Sequence, residues 1–160
     1  IFKIGNEEFA ANASKVQRIL EMQTITSLPK VRSYMKGVIN LMGKVLPVID
    51  ARLKMGMEEK EPDAHTCIIV LEIVKGKKVV ETGIIVDSVQ SVIEIDEHEI
   101  KDPPTLGFEV NSDFISGMVE HENKFIMLLD VDNVFSVDEV VSLQEAAETE
   151  LTEEVEEEKE

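Results

Sequence analysis

The side chains best able to do chemistry in this chain are three histidines, one cysteine and a large stock of carboxylates. A structural zinc site needs Cys, His or carboxylate ligands at close, recurrent spacings. His65, His98 and His121 stand far apart, with no Cys or carboxylate partner at such a spacing, and are expected at the surface. Asp130-Val131-Asp132-Asn133 has the acidic rhythm of a calcium loop but lacks the turn Gly and the terminal bidentate Glu. A helix N-cap at Asp130 or Asp132 fits those residues better. Gly43-Lys44 is followed by Val45 and has no Gly at the required distance before it, so no phosphate-cradling loop is present. A Gly-x-Ser-x-Gly elbow is also absent. Carboxylates are so abundant that a catalytic pair could be drawn almost anywhere, which empties that signal of content. Asp50 follows the run Leu46-Pro47-Val48-Ile49 and is expected to cap the turn that begins at Ala51. Cys67 lies in Cys67-Ile68-Ile69-Val70-Leu71 and reads as a small buried hydrophobe. As the only cysteine it forms no intrachain disulfide, which suits a reducing cytoplasm. These residues predict no catalytic group, metal or cofactor.

Residues 35–50, MKGVINLMGKVLPVID, have a more particular character. A Gly precedes a short strand, a Gly turn follows, and the second strand carries Pro47. Proline gives no N–H to a ladder, so this strand is expected at a sheet edge or a bulge. An edge beside Met22, Met35 and Met42 would make a pliable apolar docking surface.

The elements around this segment read as short strands. Candidates are Ile1–Ile4, Glu8–Ala11, Arg18–Met22, Val38–Leu41 and Val45–Ile49 in the first half. Thr66–Val74, Lys78–Val86, Val89–Ile95, Ile115–His121 and Lys124–Asp130 follow in the second. Met42-Gly43, Lys75-Gly76-Lys77 and Glu122-Asn123 supply the turn residues of three hairpins. Several strands are apolar on consecutive residues, as in Ile68 to Leu71 and Ile126 to Leu129, which implies burial on both faces. Pro29 and Pro103-Pro104 punctuate the connections, and residues 57–64 are a polar surface loop. Val16 and Ile19 are spaced to share one face of a short helical turn. From Ser136 the pattern turns helical: Ser136 and Glu139 have capping-box spacing, and Val140, Leu143, Ala147 and Leu151 form an apolar stripe. After Thr152 the chain is too charged to bury much surface, and a frayed tail is expected over 152–160.

With 43% hydrophobic residues, 4% aromatics and no Trp, the interior must be built from Val, Ile, Leu and Met. The apolar runs are far shorter than the roughly 20 residues of a membrane-crossing helix, so no membrane insertion is expected. Lys3, Asn6, Glu7 and Glu8 interrupt the first residues, against a secretory leader, while Ile1 in place of Met points to trimming upstream. The net charge is −17; residues 138–160 hold eleven acidic residues and one Lys, leaving −7 on residues 1–137. An acidic body argues against nucleic acid and anionic membranes as partners.

Taken in order, the motifs resemble the CheW family. That family has a strand beginning Glu-aromatic-Ala, a Val-Gln-Glu-Ile stretch, a Pro-containing segment, Gly-Val-x-Asn-Leu-Arg-Gly and x-Pro-Val-x-Asp-Leu-Arg. Here stand Glu8-Phe9-Ala10, Val16-Gln17-Arg18-Ile19, Pro29, Gly37-Val38-Ile39-Asn40-Leu41-Met42-Gly43 and Leu46-Pro47-Val48-Ile49-Asp50-Ala51-Arg52. Gly83-Ile84-Ile85-Val86-Asp87-Ser88-Val89 and Leu129-Asp130-Val131 continue the match to about residue 135.

The resemblance implies a mainly β fold of two small five-stranded barrels packed together over 1–135, with a C-terminal helix over 136–151. It implies a non-enzymatic adaptor of the cytoplasm, held in arrays at the inner face of the membrane, that couples chemoreceptors to the histidine kinase CheA. A groove between the barrels would receive the receptor's helical tip, and the matching positions are Val16, Arg18, Ile19, Gly37 and Met42. The regulatory domain of CheA would bind other surfaces. The chain departs from the family in two places: Arg18 stands for the usual Glu and Met42 for the usual Arg. The change removes a Glu–Arg pair beside the groove, and a specialised role with other receptors follows from it. A coupling domain of a larger CheV-type or CheA protein is the alternative, against which the charged tail argues. An enzyme would need carboxylates or histidines converging in three dimensions, and a partnerless acidic structural protein is a third reading.

Overall fold

The computed structural model describes residues 1–29, 31–102, 114–134 and 140. The chain runs through β1 (Phe2–Ile4), β2 (Glu7–Ala10), β3 (Val16–Glu21), β4 (Met35–Leu41) and β5 (Lys44–Asp50), then the single helical turn α1 (Ala51–Lys54). It continues with β6 (Cys67–Lys75), β7 (Lys78–Val86), β8 (Ser88–Val89), β9 (Ile115–His121), β10 (Lys124–Leu129) and α2 (Val131–Val134). Two curled five-stranded sheets result, ordered β8-β1-β2-β10-β9 and β3-β6-β7-β5-β4. The first sheet closes only when the last strands return beside the first, with β10 parallel to β2. The second is built from the contiguous stretch between them, with β5 parallel to β7.

The runs of consecutive apolar residues are explained by what each face meets. On β6, Ile69, Leu71 and Ile73 enter a core shared with Phe2, Ile4 and Phe9 of the first sheet. Ile68 and Val70, on the opposite face, pack inside the second sheet with Ile39, Leu46 and Val48. On β10, Met127 and Leu129 join the shared core, while Ile126 lies with Ala10 and Val119 inside the first sheet. Each barrel therefore has its own interior, and a third apolar layer joins the two.

The three hairpins form where expected. Met42 and Gly43 have φ of 50° and 84°, and Glu122 and Asn123 of 50° and 63°, the left-handed pair that matches strand twist. Asn40 Oδ1 accepts from the Gly43 N–H at 2.8 Å, bracing the first of these turns. In the second hairpin Lys75 pairs with Lys78, so the turn itself is Gly76-Lys77.

Four expectations are corrected. Residues 16–21 form an edge strand with a register shift between Val16 and Arg18, in place of a helical turn. Pro47 is buried in an interior strand between β4 and β7 and pairs in register with Val38, in place of an edge or a bulge; the bulge of this hairpin falls between Met35 and Gly37. The missing N–H of Pro47 is tolerated because neither neighbour calls on it: the opposing Val38 bonds Thr26 O and N at 2.9 Å each, and the ladder to β7 begins only at Val48. The Pro47 carbonyl accepts from the buried Thr82 hydroxyl at 3.1 Å. Met22 and Met35 pack against separate clusters, so they do not join Met42 in one patch. Of the predicted strand 89–95 only Val89 is paired in a ladder, as the second residue of Ser88–Val89.

Asp50 caps α1 as expected, accepting from the Arg52 N–H at 2.9 Å. The Arg52 guanidinium reaches Asp87 at 2.7 Å, and Asp87 also accepts from the Gly5 N–H, which ties the end of β5 to both sheets. Asp130 precedes α2, and its carbonyl accepts from Asn133 and Val134. Asp132 instead accepts from the Val74 N–H at 2.9 Å and pairs with Lys15. The helix predicted over 136–151 and the tail over 152–160 lie outside the described residues, except Val140, which is helical and fully buried in the shared core. Among the described residues no helix is long and apolar enough to cross a membrane.

Candidate functional site

A groove of about 620 Å³ runs between the two sheets. Phe2, Ile69 and Leu129 reach its floor from the shared core. One wall is Val16 and Ile19 of β3 with the preceding residues Ala11, Asn12 and Ala13. Asn12 shapes that approach by accepting from the Ser14 N–H at 3.0 Å, which closes a single helical turn ahead of β3. The opposite wall is the segment after β8, with Val92, Ile93, Ile95 and Ile100. That segment lacks a ladder but is pinned at both ends. The Gln90 N–H bonds the Ile1 carbonyl at 2.9 Å, and Lys101 exchanges two backbone bonds with Met118 at 2.8 and 2.9 Å.

The register shift in β3 decides what the groove presents. A regular strand sends residues three apart to opposite faces. The extra residue at Gln17 restores Val16 and Ile19 to the same side, opposite Leu71 and Ile69 of β6, both of which point into the shared core. Ile19 nevertheless remains 55% exposed and Val92 85%, an apolar surface open to solvent.

The remaining predicted positions are distributed differently. Arg18 faces the other side of β3, opposite Val70, and its Nη1 lies 3.8 Å from Met42 Sδ at the tip of the β4–β5 hairpin. The structure thus brings 18 and 42 together, and a thioether takes the place a second charge could occupy. Gly37 is buried, with φ of 142°; a Cβ there would lie 1.9 Å from the Thr26 carbonyl oxygen. Its position is set by backbone packing. Val92, Ile93 and Ile95 fall in the stretch 89–95 that reads as a strand from sequence and Ile100 lies outside it, so none is singled out there as a site residue. The signal that could have found them is an apolar segment with no hairpin partner.

The chemistry the groove offers is apolar contact. Among its described lining residues there is no carboxylate and no histidine. The perturbed acids lie elsewhere: burial raises the Asp50 carboxyl above its ordinary range, partly offset by the Arg52 N–H. Asp63, in the exposed loop before β6, is held down at about 2 by the His65 N–H and by Lys60. Burial also raises the Cys67 thiol. One expectation about metals is corrected: His98 does have carboxylate neighbours, since ligand atoms of Asp96, His98 and Glu99 lie within 4.8 Å of one another. All three side chains are exposed on one solvated turn.

The CheW-like domain family model matches residues 1–153. The chain is 33% identical to the chemotaxis protein CheW of Rhizobium meliloti over 138 residues, covering 86% of each chain. It is 34% identical to the chemotaxis protein CheW of Bacillus subtilis over 135 residues, 84% of this chain and 83% of that one. Among solved structures it is similar to the scaffolding protein TtCheW from Thermoanaerobacter tengcongensis, with a TM-score of 0.76 and 29% identity, covering 86% of this chain and 91% of that chain.

Proposed function

The chain belongs to the CheW family, and on that premise we propose that it is a non-enzymatic chemotaxis adaptor coupling chemoreceptors to the histidine kinase CheA. The observation that carries this reading is the apolar groove between the two sheets, with Val16 and Ile19 on its wall and no titratable side chain among its described lining residues. A solvated apolar groove suits the apolar face of a helix, the recognition mode in which side chains at helical spacing fill a hydrophobic slot. The receptor's helical cytoplasmic tip is the proposed occupant. The regulatory domain of CheA is proposed to bind outside the groove. The reading places the protein in the cytoplasm, at receptor arrays on the inner face of the membrane, with residues 1–135 as the coupling domain.

Binding of purified receptor tip fragments to the native chain and to the Val16→Asp, Ile19→Asp double variant tests the proposal. Each side chain buried against a helix contributes about 1.5–3 kcal/mol, so the double variant is expected to bind at least about tenfold more weakly. Ile19→Asp alone serves as a second variant, because an exposed side chain is replaced without disturbing the core. Unchanged binding by both, with native circular dichroism, refutes the groove as the receptor site.

A further inference from the structure

The chain passes between the two sheets at residues 11–15 and again at a single residue, Asp87, which stands between β7 of the second sheet and β8 of the first. The Asp87 N–H bonds the Lys3 carbonyl of β1 at 2.9 Å. Its carboxylate holds both sheets: Oδ2 accepts from the Gly5 N–H, between β1 and β2, and from Arg52 Nη1 at 2.7 Å. Arg52 is itself fixed at the end of β5. Its backbone N–H donates to Asp50 at 2.9 Å, and its Nε donates to the Glu58 carbonyl at 2.9 Å. The planar guanidinium serves Glu58 and Asp87 at once through a rigid fork of donors. Both side chains of the ion pair are half-buried, where salt screens it much less than at the surface.

The groove walls ride on the two parts that this contact joins. Val89, Ser91 and Val92 follow Asp87 along one wall and are tied to the first sheet. Val89 pairs with Phe2, while the Gln90 N–H and the Ser91 carbonyl bond Ile1 at 2.9 and 2.6 Å. Val16 and Ile19, on the other wall, are paired with β6 of the second sheet. The core between the sheets is apolar, and apolar burial is non-directional. It holds the sheets together without fixing how far one slides over the other. Asp132, after β10, ties the halves at another point through Lys15 and the Val74 N–H; without the Arg52–Asp87 contact the sheets are free to turn about that tie. We propose that Arg52 and Asp87 are positioning residues that set the spacing of the groove walls, and through it the fit of a helix seated on Val16 and Ile19. Neither residue lines the groove; both act through the sheets they join. The inference rests on the reading of the groove as the receptor site.

The test compares native protein with Arg52→Gln, Asp87→Asn and Arg52→Lys. Urea denaturation and circular dichroism first establish that each is folded under assay conditions; a pair that only added stability would then leave the other readouts unchanged. Asp87→Asn keeps an oxygen for the Gly5 N–H and is the milder break should Arg52→Gln unfold. Spin labels on Ile19→Cys and Val92→Cys, exposed positions on opposite walls, report the groove width by pulsed electron paramagnetic resonance in a Cys67→Ser background. Arg52→Gln and Asp87→Asn are expected to lengthen or broaden that distance distribution. Unlabelled, they are expected to bind receptor tip fragments about tenfold more weakly, as if one apolar side chain lost its contact. Arg52→Lys keeps the ion pair and is expected to retain most of the native distance and affinity. If the Val16, Ile19 double variant loses binding but the folded Arg52→Gln and Asp87→Asn keep the native distance or the native affinity, this inference is overturned and the groove stands. If that double variant binds normally, the groove reading fails, and the distance alone decides whether the pair sets the wall spacing.

Discussion

Replacing Gly37 by alanine separates two roles that the family resemblance merges, receptor contact and backbone packing. The added Cβ would lie 1.9 Å from the Thr26 carbonyl oxygen, 2.7 Å from its carbon and 3.0 Å from Ser27 Cα. All three are backbone atoms, so no side-chain rotation relieves the collision. The φ of 142° adds strain of its own, since L side chains rarely adopt it, at about 1–3 kcal/mol. Moving the 26–27 segment away breaks the two 2.9 Å bonds between Thr26 and Val38, worth about 1 kcal/mol net each. Together these predict a loss of about 3–5 kcal/mol, a large share of the roughly 5–15 kcal/mol that holds a domain folded. Urea denaturation reads it as a lower midpoint. Gly43→Ala is the matched control: its φ is 84° but nothing lies within 4 Å of the added Cβ, so it should cost only about 1–2 kcal/mol. Equal, small losses for the two variants would refute the reasoning, because Gly37 would then not be pinned under Thr26. Native stability with weakened receptor binding would make Gly37 a contact residue instead.

Two further outcomes are expected. In the four-member cycle of Arg18→Glu and Met42→Arg, the 3.8 Å contact means that Met42→Arg alone sets two like charges close together, costing about 1 kcal/mol in water. The double variant should be more stable than Met42→Arg and should bind better than the native chain to a receptor tip suited to the usual Glu–Arg pair; strict additivity in both assays shows that the positions do not communicate. For Asp50, burial raises the folded carboxyl above its unfolded value, so folding favours the neutral form and ionisation costs stability as pH rises from about 4 through the raised value. Asn also caps helices, so the stability of the native chain relative to Asp50→Asn should fall over that window and then level off; a relative stability that rises with pH contradicts the assigned cause.

The strands and hairpins were readable from residues because their determinants are local. Ile68 to Leu71 is apolar on both faces, and the two faces do meet different cores. Asn40, Gly43 and Asn123 carry turn chemistry that acts within a few residues. The pairing of the sheets was not local, and the family resemblance supplied it. What failed were positions decided by a distant partner. Pro47 looks like an edge residue until Thr26 takes the hydrogen bonds of Val38 and the ladder to β7 starts one residue later, at Val48. Val16-Gln17-Arg18-Ile19 fits a helical turn and a bulged strand equally well by spacing, and the choice belongs to Leu71, Val70 and Ile69 across the ladder. That choice also decides which side chains of β3 line the groove. The bulge turns Val16 and Ile19 together toward the groove and leaves Arg18 on the other face, against Met42. A helical turn would have put the apolar pair in the same place but would not have fixed the cation at a sheet edge. The side of β3 on which Arg18 meets Met42 therefore depends on one extra residue in an edge strand, a feature visible only after β6 is in place.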